Sequence, residues 1–164
     1  MIQNLKNRLK DQRGLTLIEL LAVIVILGII AAIAVPSILG LIDNTKKDAH
    51  VANAQQMVNS AKMAITTDVN LQTGTVYLPL GYLQTQKFIE PIESPDSGEN
   101  YIPGNTTTQD STFDGTAKTS YVKIVNGEVT EVKLVTNVRG VQTGGKLGVV
   151  PSALKRGVVI NNPS

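Results

Sequence analysis

Residues Leu15 to Val35, LTLIELLAVIVILGIIAAIAV, place 18 apolar side chains in 21 positions, broken only by Thr16, Glu19 and Gly28. Coiled as a helix at about 1.5 Å per residue, such a run reaches roughly 31 Å, the thickness of a bilayer's hydrocarbon core. The residues ahead of it, MIQNLKNRLKDQRG, carry a net charge of +3, and a basic flank of this kind stays on the cytoplasmic side. The reading is a single membrane span with the N-terminus inside and the C-terminus outside. Glu19 is the anomaly. A carboxylate in a span costs about 2.5 to 3.5 kcal/mol at mid-membrane on insertion scales, and less near the interface where Glu19 falls. Such a group wants a partner, and a plain signal anchor offers none. A secretory signal peptide cut after Ala32-Ile33-Ala34 is a further reading, although apolar signal cores usually stop at about 15 residues.

The segment Arg13-Gly14-Leu15-Thr16-Leu17-Ile18-Glu19-Leu20-Leu21 resembles the class III leader junction of type IV pilins and pseudopilins. In that family a short cationic leader ends in Gly, a prepilin peptidase cuts after it, and the same enzyme methylates the new N-terminus. The resemblance implies cleavage between Gly14 and Leu15, N-methylation of Leu15, and an assembly role for Glu19, which occupies the family's hallmark acidic position. It also implies that the carboxylate of an incoming subunit pairs with the N-terminal amine of a neighbour, so that two charges in a low-dielectric setting are solved by assembly. Pro36 falls where many pilins carry a helix-kinking proline. Phe is the usual first mature residue, and Leu15 is the one departure. The likeness covers roughly residues 6 to 60. The partners it implies are the prepilin peptidase, identical or related subunits in a helical homo-oligomer, a membrane assembly platform with its ATPase, and the lipid bilayer before assembly. The localisation it implies is a single-pass membrane precursor that becomes an extracellular filament, with motility, adhesion or DNA uptake as its work. A pseudopilin of a secretion or competence machine is the alternative, and a membrane-anchored or secreted binding module is the alternative of another class.

Pro36 lacks an N–H and crowds the carbonyl four residues back, so a kink or melted stretch over Gly28 to Pro36 is expected. Gly28, Ala31, Ala32 and Ala34 are small enough to let other helices approach closely. Beyond Pro36, Val51, Ala54, Val58, Ala61, Ile65 and Val69 recur at helical spacing, with polar residues filling the rest. One helix from about 15 to 68 follows, its second half amphipathic. His50, in a polar-rich stretch, is expected at the surface.

From Asn70 to Gly115 the chain is rich in Gly, Pro, Thr, Asn and Asp, and it reads as a long connection. Within it, Pro79 to Ile89 is expected to form a short helix burying Leu80, Leu83 and Phe88. Asp96, Glu99, Asp110 and Asp114 offer carboxylates, but at no recognised metal-binding spacing. Two alternating runs flank Asn126-Gly127, the pattern of a type I′ β-hairpin, and Gly157 to Asn161 reads as a third strand. The fold class is therefore α+β: a long N-terminal helix packed on a small C-terminal antiparallel sheet. The expected divisions are a removable leader at 1–14, a transmembrane segment at 15–35, an amphipathic extension at 36–68 and a globular head at 69–164.

Composition excludes several classes. No cysteine is present, which removes disulfides, thiol catalysis and cysteine zinc sites. A single histidine builds no histidine metal site, no phosphate-binding glycine loop appears, and no nucleophile has a base beside it. Neither an enzyme nor a cofactor is indicated. The chain's +2 charge dissolves on inspection: without residues 1–14 it becomes −1, divided between an acidic 68–117 segment at −6 and a basic 118–164 segment at +5. With only 4% aromatic residues, nothing supports nucleic-acid binding. Lys133, Arg139, Lys146, Lys155 and Arg156 are expected to face an acidic loop of an adjacent subunit or an anionic ligand.

Overall fold

The computed structural model describes residues 2–162, with side chains from Thr16 onward. Helix α1 runs from Ile2–Thr67, so the backbone is helical from well before the expected start at residue 15. It continues without a break across Gly28 and Pro36, because proline's fixed φ is helical and only one hydrogen bond is lost. Just after the proline, the Ser37 hydroxyl donates to the Ile33 carbonyl at 3.2 Å.

The chain divides into two compact units, residues 1–43 and 44–164. In the first, apolar side chains from Leu17 to Leu41 are exposed, Leu17 at 70%, and α1 is long and apolar enough to cross a membrane. Burial is what such side chains would gain, at about 1.5 to 3 kcal/mol each.

The second unit is built on the later part of α1 and a five-stranded antiparallel sheet in the simple order β1-β2-β3-β4-β5. Its strands are β1 (Thr75–Pro79), β2 (Tyr121–Val125), β3 (Glu128–Val135), β4 (Arg139–Val141) and β5 (Val159–Asn161). The Asn-Gly hairpin is present: Val125 pairs with Glu128, and Asn126 and Gly127 have φ of 50° and 80°, as a type I′ turn requires. One irregularity follows, where Lys123 faces Glu131 but Ile124 faces Val129, so Thr130 is the extra residue of a β-bulge. The Asn126 turn also holds β1 in place, its side-chain oxygen accepting from the Gly74 N–H at 3.0 Å. β5 matches the expected third strand.

Strands β1 and β4 were not legible. β1 lies in the stretch read as connection. Its terminal Pro79 is tolerated because β1 is an edge strand, and its outer side is bridged by Gln109 through a pair of hydrogen bonds to Tyr77. β4 has three residues, closed onto β3 by a tight turn in which the Thr136 hydroxyl donates to the Arg139 carbonyl at 3.0 Å.

Alternation sets the two faces of the sheet. Leu78, Val122, Ile124, Val132 and Leu134 meet Ala54, Met57, Val58, Ala61 and Ala64 of α1 in one core. Helix α2 (Leu80–Thr85) adds Leu80 and Leu83, as expected, whereas Phe88 is only partly buried and Ile89 takes the deeper place. Val69 departs from the helical stripe. Asp68 caps a 3₁₀ turn there, accepting from the Asn70 N–H at 2.9 Å, and Val69 is left 75% exposed.

Candidate functional site

Two places carry polar groups that the fold alone does not require. Gly14 and Leu15 lie outside the residues whose side chains the structure describes. Glu19 is exposed on α1 between exposed Ile18 and Leu20, and Pro36 lies exposed within the same helix. The first place is thus a carboxylate on an apolar helix surface, an arrangement that water tolerates poorly for the apolar groups and a membrane tolerates poorly for the acid.

The second place is on the later part of α1, and it corrects the expectation for His50. The histidine is fully buried. Its Nδ1 lies 2.8 Å from the Tyr101 hydroxyl and its Nε2 lies 2.9 Å from Asp96. Asp96 is gripped at both oxygens by Arg139 of β4, at 2.8 Å from Nε and 2.6 Å from Nη2, and Lys46 stands 3.9 Å away. The Asn53 side chain donates to the Tyr101 hydroxyl at 3.0 Å and to the Glu93 carbonyl at 3.1 Å. Arg139 holds the Asp96 carboxyl at about 2, with His50 contributing, so it is ionised. An ionised carboxylate only accepts, which makes Nε2 the donor and leaves Nδ1 to accept from Tyr101. Burial pushes the His50 ring below its ordinary value, against the pull of Asp96, and pushes the Tyr101 hydroxyl up to about 12. Every proton in the cluster has one assignment, with a neutral imidazole.

A spacing signal for His50 existed. Residues 50, 54, 57, 61 and 64 recur at 4, 3, 4 and 3, so the histidine lies one turn ahead of Ala54 on the buried stripe. The polar neighbours of residue 50 hid it, because they occupy the other faces of the helix.

Three basic residues of the C-terminal segment, Lys133, Arg139 and Arg156, also differ from expectation. Arg139 is committed to Asp96, and Arg156 to Asp48 at 2.8 Å. Lys133 is 1% exposed. It projects from the sheet face opposite α1, beside an aromatic group of Tyr77, Phe113 and Tyr121 with centroids 5.0 to 5.5 Å apart. Its ammonium donates to the carbonyls of Gly115, Ala117 and Lys146 at 3.1, 2.7 and 2.5 Å. Burial lowers it to about 8, yet it stays mainly charged at neutral pH and staples two loops to the sheet. Lys133→Met keeps the side-chain length and orphans those carbonyls, each worth about 1 to 3 kcal/mol if left dry. Loss of the buried ammonium also removes its desolvation cost, which offsets part of this, so a net fall of about 2 kcal/mol is expected from chemical denaturation of the full chain in detergent. An unchanged midpoint would mean that water replaces the ammonium without loss.

The scattered carboxylates form no cation site. Asp96 is occupied by Arg139 and His50, and Glu99 accepts from the Asn137 N–H at 3.3 Å. Asp110 and Asp114 accept from the N–H groups of Thr112 and Thr116, both at 2.9 Å. Among the described residues no three His, Asp or Glu side chains come together as metal ligands.

Residues 9–35 match the family model described as the prokaryotic N-terminal methylation motif, the class III leader signal of type IV pilins. With an α+β layout of long apolar helix and small antiparallel sheet, the motif, which covers the N-terminal part of α1 alone, supports a type IV pilin or pseudopilin family member. It implies processing by a prepilin peptidase and assembly with other pilin subunits. No curated protein and no solved structure matches the chain.

Proposed function

We propose that the chain is the structural subunit of a type IV pilus-like surface filament, cleaved after Gly14, methylated at Leu15 and assembled through packing of α1. The observation that carries this reading is the methylation motif at 9–35 coinciding with a helix whose apolar side chains are exposed. Before assembly the bilayer covers that surface, with the leader inside and the head outside. In the fibre, neighbouring helices take the place of lipid, Gly28, Ala31, Ala32 and Ala34 permit close approach, and Glu19 meets the N-terminal amine of another subunit. Pro36 supplies the weak point at which α1 adjusts to the fibre. Motility, adhesion or DNA uptake would be the work of such a filament. The proposed divisions are leader 1–14, span 15–35, amphipathic extension 36–68 and head 69–164.

A pseudopilin shares the same motif. Deletion of the gene followed by electron microscopy of the cell surface separates the two: loss of long fibres whose subunit has this mass supports the pilus, and fibres that persist with this subunit absent from them overturn it.

A further inference from the structure

The cluster around His50 joins three parts of the head: α1 through His50 and Asn53, the 93–101 segment through Asp96 and Tyr101, and β4 through Arg139. We propose that it is an acid-sensitive latch, in which one proton taken up by Nδ1 of His50 releases the 93–101 segment from α1 while the rest of the sheet stays folded.

The reason is donor counting. In the neutral state Nδ1 is, among the described residues, the acceptor for the Tyr101 hydroxyl proton, and the hydroxyl oxygen already accepts from Asn53 at 3.0 Å. Protonated Nδ1 becomes a donor aimed at a hydroxyl that has lost its own acceptor, and a buried unpaired donor is costly. Burial acts in the same direction and outweighs the attraction of Asp96 for an imidazolium, while Arg139 and Lys46 of α1 oppose the added charge. On α1, Lys47 and Asp48 also lie within one turn of His50, and Asp48 is paired with Arg156. The sign of the effect follows from the lowered ring value: the cluster's stabilisation is fully present above the ordinary histidine range and is lost as pH falls through the lowered folded value. Asp96, titrating at about 2, takes no part.

Beyond the cluster, the 93–101 segment is tied down by side chains, the Glu99 carboxylate accepting from the Asn137 N–H at 3.3 Å and Tyr101 packing in the core, and not by strand pairing. The Asp96 N–H donates to the Ser94 hydroxyl at 3.2 Å and the Glu99 N–H donates to the Asp96 carbonyl at 3.1 Å, both bonds internal to the segment. Such a stretch opens at lower cost than the paired strands β2 and β3.

The sequence contains one histidine, so in tag-free full-length protein in non-ionic detergent micelles the imidazole NMR signals belong to His50 alone. Those signals and amide exchange protection are to be followed together from about pH 7 to pH 5. The ring is expected to titrate below the ordinary value, and protection over 93–101 to fall about tenfold with the same midpoint while β2 and β3 hold. His50→Gln, whose amide can accept from Tyr101 and donate to Asp96, is expected to abolish the pH dependence. A ring that stays neutral throughout, a ring that titrates with 93–101 still protected, or an acid-loosened segment in His50→Gln would each overturn the latch.

Discussion

Leucine in place of Glu19 is expected to leave membrane insertion intact and to abolish fibre assembly. Removing a carboxylate from a span makes insertion easier, by up to about 2 to 3 kcal/mol near the centre and less toward the interface. A defect therefore cannot arise from failure to enter the membrane. In the proposed assembly the substitution removes the anionic partner for a neighbour's N-terminal amine, and breaking a buried ion pair from one side costs about 3 to 5 kcal/mol because the other charge remains. Repeated at every subunit, that loss is enough to prevent a fibre. Glu19→Asp, which keeps the charge on a shorter stem, should retain part of the assembly. Cell-surface fibre yield, read beside the membrane-bound precursor level, is the measurement. Normal fibres from the leucine variant would mean that Glu19 does no more than reach the headgroups.

The second large effect is expected at Arg139. Arg139→Met takes both strong donors from Asp96 and leaves the carboxylate, 13% exposed, facing His50 with Lys46 more distant. Breaking a buried pair costs about 3 to 5 kcal/mol, and the remaining contact with His50 reduces this to about 2 to 3 kcal/mol at neutral pH. The loss has a distinctive pH dependence. With the guanidinium gone, the carboxylate's main partner is the imidazole, so the folded-state value of His50 rises. A raised folded value adds stability below the unfolded value. The penalty of the substitution should therefore shrink on acidification, opposite to the trend of the parent protein. Denaturation midpoints of both proteins at neutral and mildly acid pH check this, and a penalty that grows with acid would show that Arg139 does not add to the effect of burial in holding His50 below its ordinary value.

The parts of the fold that were legible are those in which local chemistry decides the outcome. An apolar run with a basic flank, an Asn-Gly turn between alternating strands and the stripe through Ala54, Val58 and Ala61 each specify their element within a few residues. Strands β1 and β4 were not legible because tertiary pairing decides them: five and three residues long, they exist through β2, β3 and β5 rather than through their own propensity. The same holds for the polar cluster. Nothing near residue 50 in the sequence announces Asp96, Tyr101 or Arg139, which lie 46 to 89 positions away, and only the 4, 3, 4, 3 spacing placed His50 inward. Lys133 shows the converse case. Alternation in Val-Lys-Leu-Val puts it on the face opposite α1, but only the loop from Gly115 to Ala117 makes that face an interior. The methylation motif at 9–35 was legible because local sequence alone carries it.

Intact-mass and N-terminal analysis of subunits recovered from purified surface filaments tests the filament reading most directly. The expected result is a chain that begins at Leu15 and carries one N-terminal methyl group. A chain that begins at Val35, or an unprocessed chain retained in the membrane, would contradict it.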